Sequence, residues 1–237
     1  MTQVQRAPGV EVSVFGSPGA VADAVAETLA QLAQRRPGAV VLLAGGKTPA
    51  AAYARCGALG VTALDLWFTD ERMVGPDDPD SNYRMIAHAW LNPAGVPADA
   101  VHRIEGELGA TAAAAACSRA WRARPRVPAV ALLGLGADGH TASLFPGDPA
   151  CAQPGAFIPA QAGRRVSASH QLLSSADQAW FVVTGADKAE RLAELCAPAS
   201  TAHARRLVTC QHIKVFCDTL AAGRLPVGVN AGAALGH

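Results

Sequence analysis

This chain of 237 residues has almost no excess of one charge sign: Lys plus Arg number 20 and Asp plus Glu 19, a formal net charge of +1. A general nucleic-acid binder needs a basic surplus to neutralise phosphates, so that class is excluded. Charged residues make up only 16% of the chain and apolar residues 50%, enough for a sizeable core and too apolar for wholesale disorder. Lysine is scarce, with only Lys47, Lys188 and Lys214, while alanine occurs 52 times. That balance reads as genome composition and carries no functional message. Long apolar runs are also missing: nothing nears the roughly 18 residues of a membrane span. Met1 to Val10 holds one arginine and no apolar stretch, so no secretory signal is expected. The alanine run 112–116 reads as helix.

The six cysteines, Cys56, Cys117, Cys151, Cys196, Cys210 and Cys217, form no C-x-x-C and are irregularly spaced. Neither a zinc knuckle nor a disulfide framework is indicated, and reduced thiols in a cytoplasmic protein are the expectation. Cys210, His212 and Cys217 lack a fourth ligand and read as packing. Complete nucleotide fingerprints are absent as well. Gly46-Lys47-Thr48 has the end of a P-loop, but the required first glycine would fall at Val41 and Pro49 follows directly. Gly134-Leu-Gly136-Ala-Asp-Gly139 spells G-x-G-x-x-G, yet no Asp or Glu occurs from 149 through 176 to hold a ribose. The acidic loop Asp77, Asp78, Asp80 lacks EF-hand spacing and reads as solvated. No metal, nucleotide or other cofactor is therefore expected.

What is present is an alternation of short β-rich runs with Ala/Leu-rich helical runs, without repeats or long linkers. It predicts one α/β domain over 1–237, a parallel sheet covered by helices. Val21–Arg36 has helix periodicity between Ser17–Pro18 and Pro37–Gly38. Ala39–Ala44 reads as a buried strand, followed by Gly45–Gly46 and a helix from about Pro49 to Cys56. Leu64–Thr69 is a second strand, and Ser81 caps a helix running to Leu91. Thr111–Ala123 and Asp187–Cys196 read as helices. Ala129–Leu133, Val166–Ser169, Ala179–Thr184 and Ile213–Cys217 read as strands. Glycine-rich and polar segments recur at the carboxyl ends of these strands, where open α/β sheets bind ligands.

Gly45, Gly46, Lys47 and Thr48 open a helix after a strand: glycines admit backbone N–H groups to an anion, and the helix N-terminus favours negative charge. An ordinary glycine turn has the same spelling. Asp138 and His140, two residues apart in a tight polar turn, suit a general base with its orienting carboxylate. On spacing alone, a capping Asp with a surface His is the plainer account. Arg72, after Asp70 and Glu71, suits an anion-facing guanidinium. Arg164–Arg165 and Lys188 are further cations at sheet ends, each most often plain surface charge.

The segments LAGGKTP (43–49), FTDERMV (68–74), DSNYRM (80–85), GLGADGHTASLFPG (134–147), RRVSAS (164–169) and VTGADKAE (183–190) occur in that order. Together they resemble the 6-phosphogluconolactonase family of the pentose phosphate pathway, over nearly the whole chain to FCDTLAA (216–222). The block DGHTASLFP is the most specific part. The resemblance implies a three-layer α/β/α sandwich with a mostly parallel, Rossmann-like sheet, related to sugar-phosphate isomerases and deaminases. The implied reaction is hydrolysis of 6-phosphoglucono-1,5-lactone without a nucleotide cofactor. This chain departs from the pattern at Lys47, where a small hydroxyl residue is common, and at Phe216, where a Trp is usual.

Lactone hydrolysis needs one general base and one group for the oxyanion. His140 is expected as the base, the role the resemblance also gives it, with Asp138 orienting it. Arg72 faces the carbonyl oxygen or neighbouring hydroxyls, and Asp70 holds the sugar or Arg72. Gly45, Gly46, Lys47 and Thr48, with Arg165 and Lys188, are expected to take the 6-phosphate. Ser143 has no G-x-S-x-G elbow and is not expected as a nucleophile. The expected partner is the small sugar-phosphate lactone, with no nucleic acid, membrane or obligate protein partner. The alternatives are an isomerase or deaminase, and a non-catalytic sugar-phosphate sensor. In the deaminases the loop after D-G-H resembles I-A-F-N-E-P, whereas Thr141 to Pro146 carries no carboxylate. A sensor would need a DNA-binding module, and the first strand already appears by residue 14.

Overall fold

A computed structural model describes residues 3–7, 9–124 and 126–226, with 3–7 described as backbone only. The chain begins with β1 (Gln3–Ala7), β2 (Val10–Phe15) and α1 (Pro18–Arg35). Ser17 caps α1, its Oγ accepting from the Ala20 amide at 3.2 Å, and Pro18 sits where its missing N–H is harmless. Val21, Val25 and Leu29 then fall on one buried face. There follow β3 (Ala39–Leu43), α2 (Lys47–Ala58), β4 (Leu64–Phe68), β5 (Asp70–Arg72) and α3 (Asn82–Ile86). Beyond a π-helical turn at Ala87–Leu91 lie α4 (Asn92–Ala94), β6 (Val101–His102), α5 (Ala110–Ala123) and β7 (Val130–Leu133). The last part contributes β8 (Phe157–Ala160), β9 (Arg165–Ala168), α6 (His170–Ser174), β10 (Gln178–Val183), α7 (Ala189–Cys196), α8 (His203–Leu207) and β11 (His212–Asp218).

Eight strands form one sheet in the order β1-β2-β11-β10-β7-β3-β4-β6. All neighbours are parallel except β1 with β2. Strands β3, β4 and β7 are buried at every residue. That is why they read as near-continuous apolar runs, interrupted only by Asp65 in β4: helices cover both faces of a parallel sheet. From β3 the chain builds outward through β4 and β6, then returns to the other side of β3 with β7, β10 and β11. The order therefore reverses between β3 and β7, and their carboxyl ends open a crevice there.

A second, antiparallel sheet, β5-β9-β8, was not expected from the sequence. It hangs on β4 through Thr69, whose amide donates to the Leu43 carbonyl at 2.8 Å and whose carbonyl accepts from the Ala168 amide at 2.6 Å. Two further expectations are corrected. Helix α2 starts at Lys47 rather than near Pro49, because Gly46, at φ 107°, is the residue that breaks the strand direction. The helix capped by Ser81 is α-helical only to Ile86 and continues as a π turn to Leu91.

Candidate active site

A cleft of about 260 Å³ lies over the carboxyl ends of β3, β7 and β10, beside β5 and β9. It brings together Gly45, Gly46, Lys47, Thr48, Asp70, Arg72, His140, Arg165 and Lys188, residues up to about 140 positions apart in sequence.

One end is made largely of backbone. Gly45 has no room for a Cβ, because the Asn82 amide lies against it. Gly46 needs its positive φ, which only glycine adopts at no steric cost. The first amides of α2 follow directly. Thr48 and Thr184 pair their hydroxyls at 3.1 Å across the floor. Lys188 reaches the cleft from the turn after β10, with its Nζ 3.4 Å from the exposed Asp187 carboxylate. That turn is fixed by Asp218 at the end of β11, which accepts from the Gly185 and Ala221 amides.

The other end is made of side chains. After β7 the chain folds back on itself: the Gly136 amide donates to the His140 carbonyl at 2.8 Å, and the Gly139 amide to the Gly136 carbonyl at 3.0 Å. A Cβ on Gly136 would overlap the His140 ring and the Asp138 carboxylate, and Gly139 has φ 87°. The glycines that imitate a dinucleotide fingerprint thus make room for the chain's own His–Asp pair. Asp138 Oδ1 accepts from His140 Nδ1 at 2.6 Å and from the His140 amide at 3.1 Å. With Nδ1 donating, the ring's lone pair lies on Nε2. Burial raises the Asp138 carboxyl, but the two His140 hydrogen bonds outweigh it and leave it below its ordinary value. Asp138 does not line the cleft; it stands behind His140. Arg191 braces the turn from outside, its Nε donating to the Ala137 carbonyl at 3.2 Å.

Arg72 and Arg165 face each other across the β5–β9 ladder. Like charges directly opposite are unfavourable. Burial, and then the Arg72 charge, hold Arg165 below the usual guanidinium value. Arg72 donates through Nη1 to the Asp80 carbonyl at 2.7 Å, and its buried Nε has no protein partner among the described residues. Asp70 is buried. It accepts from Ser143 Oγ at 2.6 Å and Asn82 Nδ2 at 3.4 Å, and Arg165 approaches to 3.8 Å. Of the two expected roles of Asp70, holding the sugar or Arg72, the second is corrected: Arg165 takes that position, and Arg72 bonds to the Asp80 carbonyl instead. Of the two adjacent arginines, Arg165 lines the cleft, while Arg164 bonds back to the Gln161 carbonyl.

Sequence reasoning passed over Glu71, Asn82, Phe145 and Thr184. Glu71 is buried, and its oxygens accept from the amides of Arg72, Asn82 and Tyr83 and from Ser81 Oγ, at 2.8–3.0 Å. Desolvation pushes its carboxyl up, against the four bonds. This carboxylate ties β5 to the start of α3 and so seats Asn82. A carboxylate preceding a Ser cap by ten residues was the only signal available. Ser143 is fully buried and spends its hydroxyl on Asp70. Cys210 and Cys217 contact backbone carbonyls, and among the described residues no group of three or more His, Cys, Asp or Glu side chains converges. Nor, among them, is any helix long and apolar enough to cross a membrane.

An open sheet with a glycine-edged cleft at its switch point defines an α/β protein whose candidate site lies at the carboxyl ends of its strands. More particularly, residues 18–216 match the family model described as glucosamine-6-phosphate isomerases/6-phosphogluconolactonase, and the chain belongs to that family. It is 40% identical over 153 residues to a 6-phosphogluconolactonase of Treponema pallidum, a match covering 60% of this chain and 62% of that one. A 6-phosphogluconolactonase of Nostoc sp. is 34% identical over 173 residues, covering 68% and 72%. The crystal structure of a protein called devB superposes with a TM-score of 0.84 at 29% identity, covering 92% of this chain and all of that one.

Proposed function

We propose that this chain hydrolyses 6-phospho-D-glucono-1,5-lactone to 6-phospho-D-gluconate, as a single catalytic domain in the pentose phosphate pathway. The observation that carries the reading is the division of the cleft: His140, backed by Asp138, at one wall, and glycines, a helix N-terminus and two lysines at the other. The relatives named 6-phosphogluconolactonase support it, and six unpaired thiols fit a reducing, cytoplasmic setting.

In this mechanism the 6-phosphate lies on the Gly45, Gly46, Lys47 and Thr48 segment, with Lys188 and Arg165 as charge partners. His140 Nε2 takes a proton from a water molecule as its oxygen bonds to the C1 carbonyl carbon. Asp138 keeps the Nδ1 proton in place and steadies the imidazolium. Arg72, which lines the cleft, faces the C1 oxyanion. The C1–ring-oxygen bond then breaks, and the imidazolium returns its proton to the departing ring oxygen, which becomes the C5 hydroxyl. The product acid loses its proton to water. No step calls on a nucleotide or a metal.

An isomerase or deaminase reading needs a free second carboxylate to shuttle a proton between carbons. Asp70 is the only carboxylate among the described residues lining the cleft, and it is buried and already bonded to Ser143 and Asn82. The deciding experiment is consumption of freshly generated 6-phosphogluconolactone, corrected for spontaneous hydrolysis. Unphosphorylated gluconolactone is run beside it. A clear preference for the phosphorylated lactone, weakened by salt, is expected; equal rates would remove the phosphate assignment, and no acceleration of either would remove the activity.

A further inference from the structure

His140 is held in its own plane by Asp138, but a single hydrogen bond from Nδ1 leaves the ring free to rock about that bond. A second contact restrains it. The Phe145 ring packs against the imidazole with centroids 4.1 Å apart and an interplanar angle of 23°. The backbone beneath Phe145 is tied from several sides. Leu144 is fully buried, its amide donates to the Thr141 carbonyl at 3.0 Å, and its carbonyl accepts from His203 Nε2 at 3.1 Å. The Phe145 carbonyl accepts from the Asp148 amide at 3.1 Å and from Cys151 Sγ at 3.3 Å. Pro146 then fixes the next φ. A side chain on so restrained a loop is placed, not merely accommodated.

We propose that Phe145 is a positioning residue for His140: its face sets the plane of the imidazole, so that Nε2 meets the attacking water in one orientation. The inference rests on His140 being the general base. It goes further in assigning the restraint to an aromatic face at a loop position the chemistry does not otherwise use. The alternative is that the ring serves Arg165, whose Cζ lies 5.9 Å from the Phe145 centroid.

The test is a double-mutant cycle between Phe145→Leu and His140→Asn, with Phe145→Tyr as the conservative variant. In the parent protein Phe145→Leu is expected to lower kcat about tenfold, within what small misplacements of a reacting group cause. KM should stay within about twofold, and Phe145→Tyr should restore kcat to within about twofold. In the His140→Asn background Phe145→Leu should cause no further loss. On folded protein, the carbon-bound ring protons of His140 should move downfield in NMR spectra of Phe145→Leu, as the shielding of the facing ring disappears. The same factor of loss in both backgrounds would overturn the proposal, as would a rise in KM with kcat kept, which would assign the ring to Arg165. A fully active His140→Asn protein would instead refute the base assignment itself. Should Phe145→Leu fold poorly, a Phe145→Met variant carries the same cycle, with Phe145→Tyr again as the conservative variant.

Discussion

Two glycine-rich strand ends meet at the crevice, and they use glycine differently. After β3, the absent side chain of Gly45 lets Asn82 come in close, and Gly46 takes the positive φ that leads into the first amides of α2. After β7, the absent side chain of Gly136 admits His140 and Asp138 from the same loop. One loop offers peptide dipoles and a helix end, a surface that suits an anion but moves no proton. The other offers an imidazole to move a proton and a carboxylate to orient it. The proposed reaction needs both, and in this fold they stand on adjacent strands, so binding and chemistry should separate cleanly under mutation.

The largest expected effect strikes the second loop. His140→Asn should lower kcat by roughly 10²–10⁴-fold with KM little changed. Gly136→Ala should lower kcat by about 10²-fold by pushing the pair out of place. A folded His140→Asn protein with parent kcat would break the comparison and leave Asp138 and Asp70 as bases to test.

Next comes the first loop. Lys47→Met and Lys188→Met should each raise KM for the phosphorylated lactone by about tenfold, equivalent to ~1.4 kcal/mol, and leave kcat within about threefold. Equal losses in kcat would mean that the lysines act on the reacting centre. This is also the test of Lys47, at a position where the related pattern has a small hydroxyl residue.

A smaller effect lies away from both loops and concerns stability alone. His102 is paired with Asp65 and stacked on Trp67 at 4.3 Å. Burial lowers its pKa, the Asp65 carboxylate opposes this, and Arg124 and Arg126 reinforce it, so the net direction is down. A histidine whose folded pKa is depressed adds stability that is present above its unfolded value, about 6.5, and is lost as pH falls through the folded one. Thermal midpoints should therefore drop between neutral pH and mildly acid pH. His102→Gln should flatten that slope without moving kcat; an unchanged slope would place the acid sensitivity elsewhere. Smallest of all, dialysis against EDTA should leave activity unchanged, and loss followed by recovery with one divalent metal would reveal a metal site.

Much of the large sheet was legible, because AVVLL, LDLWF and VALL are apolar at every position but Asp65, as doubly covered parallel strands require. Of the small sheet only β9 was, from Val166–Ser169; β5, β8 and their pairing with it were not. Its strands read DER, RVSA and FIPA, and Asp70 and Glu71 look solvated until residues 81–83 and 143 supply their partners. Burial of a carboxylate is decided by donors distant in sequence, and no local pattern announces them. The start of α2 was misplaced for a local reason: Pro49 looked like a first-turn residue, and the glycine before Lys47 had already done that work. At the site, the spacing of Asp138 and His140 was visible, while the face of Phe145 against His140 depends on a turn that returns over five residues.

The pairing of β2 with β11 sets Val10 beside Ile213. During synthesis, β2 must therefore wait for some 200 residues to emerge before its parallel neighbour exists, a delay on the order of ten to forty seconds at ribosomal speed. Val10, Val12 and Val14 are buried in the finished sheet and lack that cover during the wait. The antiparallel hairpin with β1 forms from local sequence and occupies the other flank of β2 meanwhile. The one antiparallel pair in an otherwise parallel sheet can thus act as a temporary escort for a nascent strand, guarding one side against stray partners until translation delivers the other.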